Sequence, residues 1–588
     1  MKLYKLSLAL FLGFGAMSMT SCEDKLEVTN PNEQTTGTFG FTSDDLEECV
    51  IAAYHDLRME GSTGRVGYTI DAVRGDEVWN ASQVWYMPFD DMNDPVTDEI
   101  SFWPWREYYY AINVCNFILS RTTGDNAQLS ESMKRIKGQA LFIRGFAYYN
   151  LVGYYKDVPL ITDYSTYSSL DGLYGANNTS DEVLDQAEKD LKEAMELLPN
   201  RQAGGEWSKG RATCGAAAGY YARTLMFRHK YSEALDVLKD IIGGTKYGKY
   251  KLMANYGDNF REGSAYENND ESLFEVQYLD YGTQGVDDEW TPVNVSPNAT
   301  QGHAVESNFA PGDFGGWADL SASPWLYNLF KEERTTAGKL DPRLYWTLGT
   351  YEKEWEGFEN GNVAYTKKIT ATDTLRTNNN YGGIPIAKWT NMRTGLYSSV
   401  ATGLRCGINL RMMRYSDVLL RAAECENEVN GPTEQAIKWI NEVRQRAGLA
   451  DLKLEDFNTK DKLFEQIANV ERPKEFGCEN GRGMDLIRWG FFYDNGRLDQ
   501  LKEHGTFYKD KTIDVKTPVT YAQTKTDPEH VKSSYDTYLP GHEFLPIFQT
   551  LLNNNPNLKG NSANDGIDNS TDFFGKGWTV HPVVDLSK

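Results

Sequence analysis

The sequence lacks the common marks of a catalyst. Its seven histidines (55, 229, 303, 504, 530, 542 and 581) are scattered, with no HxxH or HExxH spacing that would hold zinc. No Walker A, GxGxxG or GxSxG stretch occurs, so the usual phosphate cradles and the nucleophile elbow are missing. Cysteine is scarce: seven in 588 residues, irregularly spaced and without a CxxC. A chain of this size can bury a large core and needs no disulfide framework, so buried free thiols are expected, with pairing left open. Positive charge is in deficit, 60 Lys and Arg against 84 Asp and Glu, for a net charge of −24. That balance argues against nucleic acid, which demands basic patches, and against charge-driven binding to acidic lipid. Beyond the first twenty or so residues, no run is long and apolar enough to span a bilayer.

Aromatic residues are abundant: 13% of the chain, with 14 Trp and 35 Tyr. Some must be core, but this many Trp and Tyr suits a surface that grips ligands by flat faces. The amino end is informative too. Lys2 and Lys5 precede an apolar stretch at 6–17, the length of a signal-peptide core and too short for a membrane span. Met19-Thr20-Ser21-Cys22 follows, which resembles a bacterial lipobox, where cleavage leaves the cysteine sulfur to carry a diacylglycerol. Residues 1–21 are therefore expected to be a lipoprotein signal peptide, with Cys22 the lipid attachment point. Several acyl chains anchor stably, since each buried methylene contributes about 0.8 kcal/mol. Residues 22–41 are polar, carry Pro31, Gly37 and Gly40, and show no apolar periodicity. They read as a tether with a reach of roughly 25 Å.

The body reads as helix pairs. Leu46, Val50, Tyr54 and Leu57 share one helical face, and Thr42 with Asp45 can cap it. The aromatic-rich stretch 77–118 begins as loop and turns helical near Trp105. A long helix is expected over 131–155. Thr179 and Glu182 form a capping box ahead of the stripe Leu184, Ala187, Leu191, Ala194 and Leu198. Two helices joined at His229-Lys230 carry Gly215, Ala216, Ala217, Ala218 and Gly219 in the first, small residues that let paired helices approach closely. The shape recurs at 415–448, with Pro432 expected to start the second helix and Gly448 to end it. Pairs of about 34 residues with this small/large alternation look like tetratricopeptide repeats, which bury their faces only by stacking. Three pairs are expected (131–198, 213–242 and 415–447), and 42–59 with 103–120 makes a fourth. Residues 255–405 differ, being rich in Gly, Asn, Asp and aromatics, with strand-like runs such as 272–279.

The motifs KGQALFIRGFAYYNLVGYYKDVPLIT (137–162), MRYSDVLLRAAECENEV (413–429), INEVRQRAGL (440–449), VERPKEFGCENGRGMDLIRWG (470–490) and LPIFQTLLNNNPNLKGN (545–561) occur in this order. Together they resemble SusD/RagB-type outer-membrane nutrient-binding lipoproteins. The resemblance implies a mainly α fold, with tetratricopeptide-like helix pairs forming a right-handed scaffold and long loops and a few short strands building the ligand face. It implies one such domain over 42–588: scaffold mainly in 42–250 and 405–500, a loop-rich ligand face in 255–405 and an irregular tail over 500–588. It further implies a lipid-anchored protein at the outer membrane, facing the cell exterior, that captures an oligosaccharide and passes it to a TonB-dependent SusC-like transporter without catalysis. Glu23 and Asp24, just after Cys22, look like the signal for that outward placement.

Sugars stack their C–H faces on aromatic rings and need Asn, Asp, Gln or Arg at the rim. The best stretch is Trp79, Asn80, Trp85 and Tyr86, where the resemblance implies ligand contacts; Tyr278, Tyr281, Trp290 and Trp317 in later loops are the other candidates. Trp105 and Trp325 lead helical runs and read as core. Glu471, Arg472, Glu475, Arg482, Asp485 and Arg488 could be read as acid–base machinery. A buried salt-bridge network fixing a helix to the scaffold is the expected role. Asp287, Asp288 and Glu289 are weak calcium candidates, better read as a solvated acidic loop, and no cofactor is expected. Two alternative functions stand beside glycan capture: the same lid architecture binding peptides or another nutrient, and a glycoside hydrolase.

Overall fold

The computed structural model describes residues 42–169, 172, 174–279, 302–311, 314–350, 352–355, 359–360, 363–364, 383–393, 406–509, 518–565 and 579–587. The signal peptide, the tether with Cys22, and Tyr281, Asp287, Asp288, Glu289 and Trp290 lie outside the described residues.

Helix α1 (Ser43–Leu57) begins at a capping box in which Thr42 and Asp45 satisfy each other's backbone N–H groups. A short helix, α2 (Arg65–Val73), follows and is buried along its whole length. Helix α3 (Trp103–Arg121) carries Pro104 in its first turn, where its missing N–H costs nothing. Helix α4 (Glu131–Tyr155) is followed by α5 (Ser180–Leu197), which opens on the Thr179–Glu182 capping box. Then come α6 (Cys214–Phe227), α7 (Tyr231–Gly243), α8 (Tyr415–Asn430) and α9 (Glu434–Arg446). In α9 the structure departs from expectation. Pro432 lies outside the helix, and Thr433 is the cap, its hydroxyl accepting from the N–H of Ala436. A hydroxyl can satisfy an orphan donor and a proline cannot, which decides the boundary.

The pairs α1/α3, α4/α5, α6/α7 and α8/α9 pack in order, each against the next. Helix α4 is the centre of this frame. It touches α1, α3, α5 and α6, and is buried continuously from Gly138 to Tyr155. A Cβ added at Gly145 would stand 2.8 Å from Leu191 Cγ of α5, so the glycine sets how closely the two helices meet. At its C-terminal end, orphan carbonyls find partners from the far end of the chain. The N–H of Leu545 donates to Tyr154 O at 2.7 Å, and Asn561 Nδ2 donates to Tyr155 O at 2.9 Å and to Leu545 O at 2.8 Å.

Strands are few and short. β1 (Val78–Asn80) pairs antiparallel with β3 (Leu320–Ala322), Trp79 opposite Ser321; β2 (Ser272–Val276) pairs with β4 (Leu410–Arg414). One large apolar core runs through the helix pairs and includes Trp105. Trp325 is half-buried against it and stacks on His504 with centroids 3.8 Å apart. Cys49, Cys115, Cys214, Cys406, Cys425 and Cys478 are all buried and unpaired. No helix among the described residues is long and apolar enough to cross a membrane.

Candidate functional site: a paired-tryptophan shelf

The β1/β3 pairing places the loop after β1 beside the segment before β3. Asn80 builds that loop: its Oδ1 accepts from the N–H of Gln83 at 2.9 Å, and its Nδ2 donates to Gln83 O at 2.7 Å. Ser82 Oγ donates to Asp319 Oδ1 at 3.0 Å, and the N–H of Ala81 donates to Asp319 O at 2.8 Å, tying the two segments together. Burial lifts the Asp319 carboxyl above its ordinary range, although Ser82 and Arg65 pull the other way.

The candidate aromatics separate into two groups. Trp79 turns inward, 2% exposed, with its ring stacked on Phe507 at 4.0 Å and Nε1 donating to Ala322 O at 3.3 Å. Tyr86 is fully buried; its hydroxyl meets Thr69 Oγ1 at 2.6 Å and accepts from Asn308 Nδ2 at 2.8 Å. Tyr278 is 7% exposed and sits edge-on to His303 at 4.9 Å. The exposed ring expected at these three positions is absent, because each face or hydroxyl is taken by a partner from a distant part of the chain.

Trp85 and Trp317 are half-buried and come together. The Arg65 guanidinium lies over both, 5.0 Å from the Trp85 centroid and 5.4 Å from that of Trp317. Tyr86 stacks on Trp85 at 4.2 Å and 27°. Val84 (73% exposed) and Met87 (46%) flank Trp85 and extend the apolar surface. Gln83 and Ser82 supply polar groups beside it. The partly exposed indoles, with Val84 and Met87, make an apolar surface with a polar margin. Val84, Met87, Asp319 and Arg65 were not singled out from sequence. Arg65 in particular sits in a glycine-rich stretch with no periodicity to mark it.

The arginine–carboxylate cluster is a separate feature. Glu471, Arg472, Glu475, Arg482, Asp485 and Arg488 are all buried. Arg472 bridges Asp417 at 2.9 Å and Asp485 at 2.5 Å; Arg488 joins Asp485 at 2.7 Å and Glu424 at 2.8 Å. Arg482 holds Asp76 at 2.7 Å, and Glu475 meets Arg446 at 2.5 Å and Arg414 at 2.8 Å. Asp417 also takes Arg223 at 2.7 Å and Arg421 at 2.8 Å. Burial would raise the Asp417 carboxyl, but Arg421, Arg223 and Arg472 more than offset it and hold it well below the usual range. A carboxylate clamped by three guanidiniums is a poor proton acceptor and a good crosslink. The cluster ties α8 to α10 (Arg482–Arg488) and to Arg223 of α6. Among the described residues no group of three His, Cys, Asp or Glu side chains is arranged to hold a metal ion.

The SusD family profile matches residues 270–565, half of the chain. The chain belongs to the SusD family. A second profile, described as starch-binding associating with outer membrane, matches residues 24–226. SusD-like protein P25 of Formosa agariphila is 26% identical over 530 residues, covering 84% of this chain and 91% of its own. SusD-like protein P2 of the same organism is 24% identical over 506 residues, 83% of this chain and 91% of its own. Among solved structures, a SusD superfamily protein from Bacteroides vulgatus superposes with a TM-score of 0.68 at 24% identity, covering 90% of this chain and all of that one. Surface glycan-binding protein A from Bacteroides thetaiotaomicron, in complex with laminarihexaose, gives 0.63 at 21% identity, covering 88% and 99%. At these identities the likeness of the structures carries the fold: a SusD-type helical frame with few short strands.

Proposed function

We propose that this SusD-family chain is a non-catalytic, lipid-anchored protein on the outer face of the outer membrane that captures an oligosaccharide and hands it to a TonB-dependent SusC-like transporter. The observation that carries the reading is the convergence of Trp85 and Trp317, from far-apart segments, into one half-exposed aromatic surface. A relative of the same fold is a surface glycan-binding protein solved with laminarihexaose, which supports sugar as the cargo. Burying roughly 60–100 Å² of apolar area per stacked ring contributes on the order of 1.5–2.5 kcal/mol. Two such rings and a few hydrogen bonds at the polar margin, less the cost of ordering the sugar, give an affinity of about micromolar to millimolar. That strength suits a protein that must release what it captures. The tether through Cys22 would keep bound sugar near the transporter at high effective concentration.

The experiment is calorimetric titration of the mature chain with laminarihexaose and a panel of other oligosaccharides, with Trp85→Ala and Trp317→Ala beside it. Binding of at least one sugar, weakened about tenfold or more in each variant, is expected. Binding of none, or binding indifferent to both variants, overturns the reading; binding of a peptide pool instead redirects the cargo. Release of new reducing ends on incubation would refute the non-catalytic part, and failure to co-isolate a TonB-dependent transporter from native membranes would refute the partner.

A further inference from the structure

The two indoles of the shelf share one covered feature. Arg65 is fully buried, and its guanidinium lies over both rings at 5.0 and 5.4 Å. It is pinned from behind: Nε donates to Glu60 Oε1 at 2.7 Å, and Nη2 stands 2.7 Å from the same oxygen, with Glu60 itself buried. Arg65 opens α2, and Thr69, one turn on, meets the hydroxyl of Tyr86, the ring that stacks on Trp85. Helix α2 thus carries both the cation that covers the two indoles and the hydroxyl that locates the stacking partner of one of them. Trp317 reaches the same cation from a different segment, its N–H donating to Ser307 O at 2.6 Å.

We propose that Arg65 is the positioning residue of this site: one guanidinium, held by Glu60 and lying over both rings, sets Trp85 and Trp317 in a common orientation that a ligand reads as a single shelf. The inference rests on the glycan reading for its cargo, but the ring geometry it assigns is independent of any cargo. Arginine suits the task and lysine does not. A guanidinium is planar, delocalised and weakly hydrated, so it lies flat against aromatic faces while its edge donates to a carboxylate. An ammonium is a compact, strongly hydrated point charge. It can keep the Glu60 pair, but it cannot cover two indoles at once. A role confined to neutralising Glu60 would therefore survive Arg65→Lys, and a role in setting the rings would not.

The test compares the mature chain with its Arg65→Lys variant by calorimetric melting, by near-ultraviolet circular dichroism and by titration with laminarihexaose or whichever panel sugar the wild type binds. The expected result is a melting temperature changed little, a changed tryptophan dichroism band, and an affinity lower by about fivefold or more. The fold-loss caused by Arg65→Lys should be smaller in a Trp317→Ala background than in the wild type, because one of the two rings that Arg65 sets is already gone. Wild-type dichroism and affinity in Arg65→Lys would overturn the inference. Should the wild type bind no sugar, the proposed function fails, and dichroism alone decides for Arg65. A band change that disappears in a Trp85→Phe/Trp317→Phe background supports it, and an unchanged band overturns it. Should Arg65→Lys not fold, the pair Glu60→Gln/Arg65→Gln, which leaves no orphan charge, is read in the same way.

Discussion

Replacing Asp417 by Asn should cost stability and leave the aromatic shelf alone. The change keeps the side-chain shape but removes the one negative charge shared by Arg223, Arg421 and Arg472, and it turns an N–H donor toward guanidiniums that also donate. All four side chains are buried, so the guanidiniums lose a charged partner that bulk solvent does not replace in full. Breaking a buried pair in this way costs about 3–5 kcal/mol. Spread over a chain of 588 residues, the unfolding entropy is about 1.2 kcal/mol/K, so the melting temperature should fall by about 2.5–4 °C. Scanning calorimetry on the mature chain at pH 7 reads the shift, and sugar titration of the same protein should match wild type. The pH dependence has a definite sign. The folded carboxyl is held below its ordinary value of 3.8, so its contribution is present above that value and is lost as pH falls through the folded pKa. The gap between variant and wild type should persist at pH 5 and close only in stronger acid. An unchanged melting temperature would refute the view of the cluster as a crosslink. A lost activity on polysaccharide with stability intact would make it a chemical site instead.

Three further outcomes are expected. Gly215→Ala in α6 drives a Cβ into Tyr250 Oη and to 2.8 Å from Tyr247 O, both in the segment that follows α7, and should destabilise by about 1–3 kcal/mol in denaturant melts; no loss would mean that this segment gives way freely. His581 sits between Glu428 at 2.5 Å and Asp461 at 2.6 Å, with its ring stacked on Phe464. Burial alone would lower its pKa, but the contacts with Glu428 and then Asp461 raise it above the ordinary 6.5. The docking of residues 579–587 should therefore be tightest below pH 6.5 and loosen as pH rises through the higher folded value. Hydrogen exchange in that segment should show this, and the trend should flatten in His581→Ala. Finally, the six buried thiols from Cys49 to Cys478 should resist an aromatic disulfide reagent in the native protein and react after denaturation. Rapid native labelling would contradict their burial.

The frame was legible because its signals are local. A hydroxyl three residues ahead of an acid marks the starts of α1 and α5, and apolar residues at helical spacing mark the faces that pack. The membership of the charged cluster was legible too, but its partners were not: Asp417, Arg421 and Glu424 read as ordinary positions on an amphipathic helix until α8 is set against α10. The site was the least legible part. Whether a loop aromatic is open depends on what lies across from it, and for Trp79 that is Phe507, hundreds of residues downstream. Asn80 was read as a sugar contact on chemistry that a loop uses just as well, and the structure commits both ends of its amide to Gln83. Arg65 gave no signal, because a cation over two rings exists only once the segments carrying Arg65, Trp85 and the distant Trp317 have met.

The way the last carbonyls of α4 are closed bears on how the chain is made. Tyr154 and Tyr155 are synthesised in the first third of the polypeptide, yet the groups that satisfy their oxygens, Leu545 and Asn561, are among the last to be added. A polypeptide cut short before that point would carry its central column with a bare, unsealed tip, open to proteases and to other unfinished copies. Only a polypeptide translated past Asn561 can close that seam, so the central column is sealed late in synthesis.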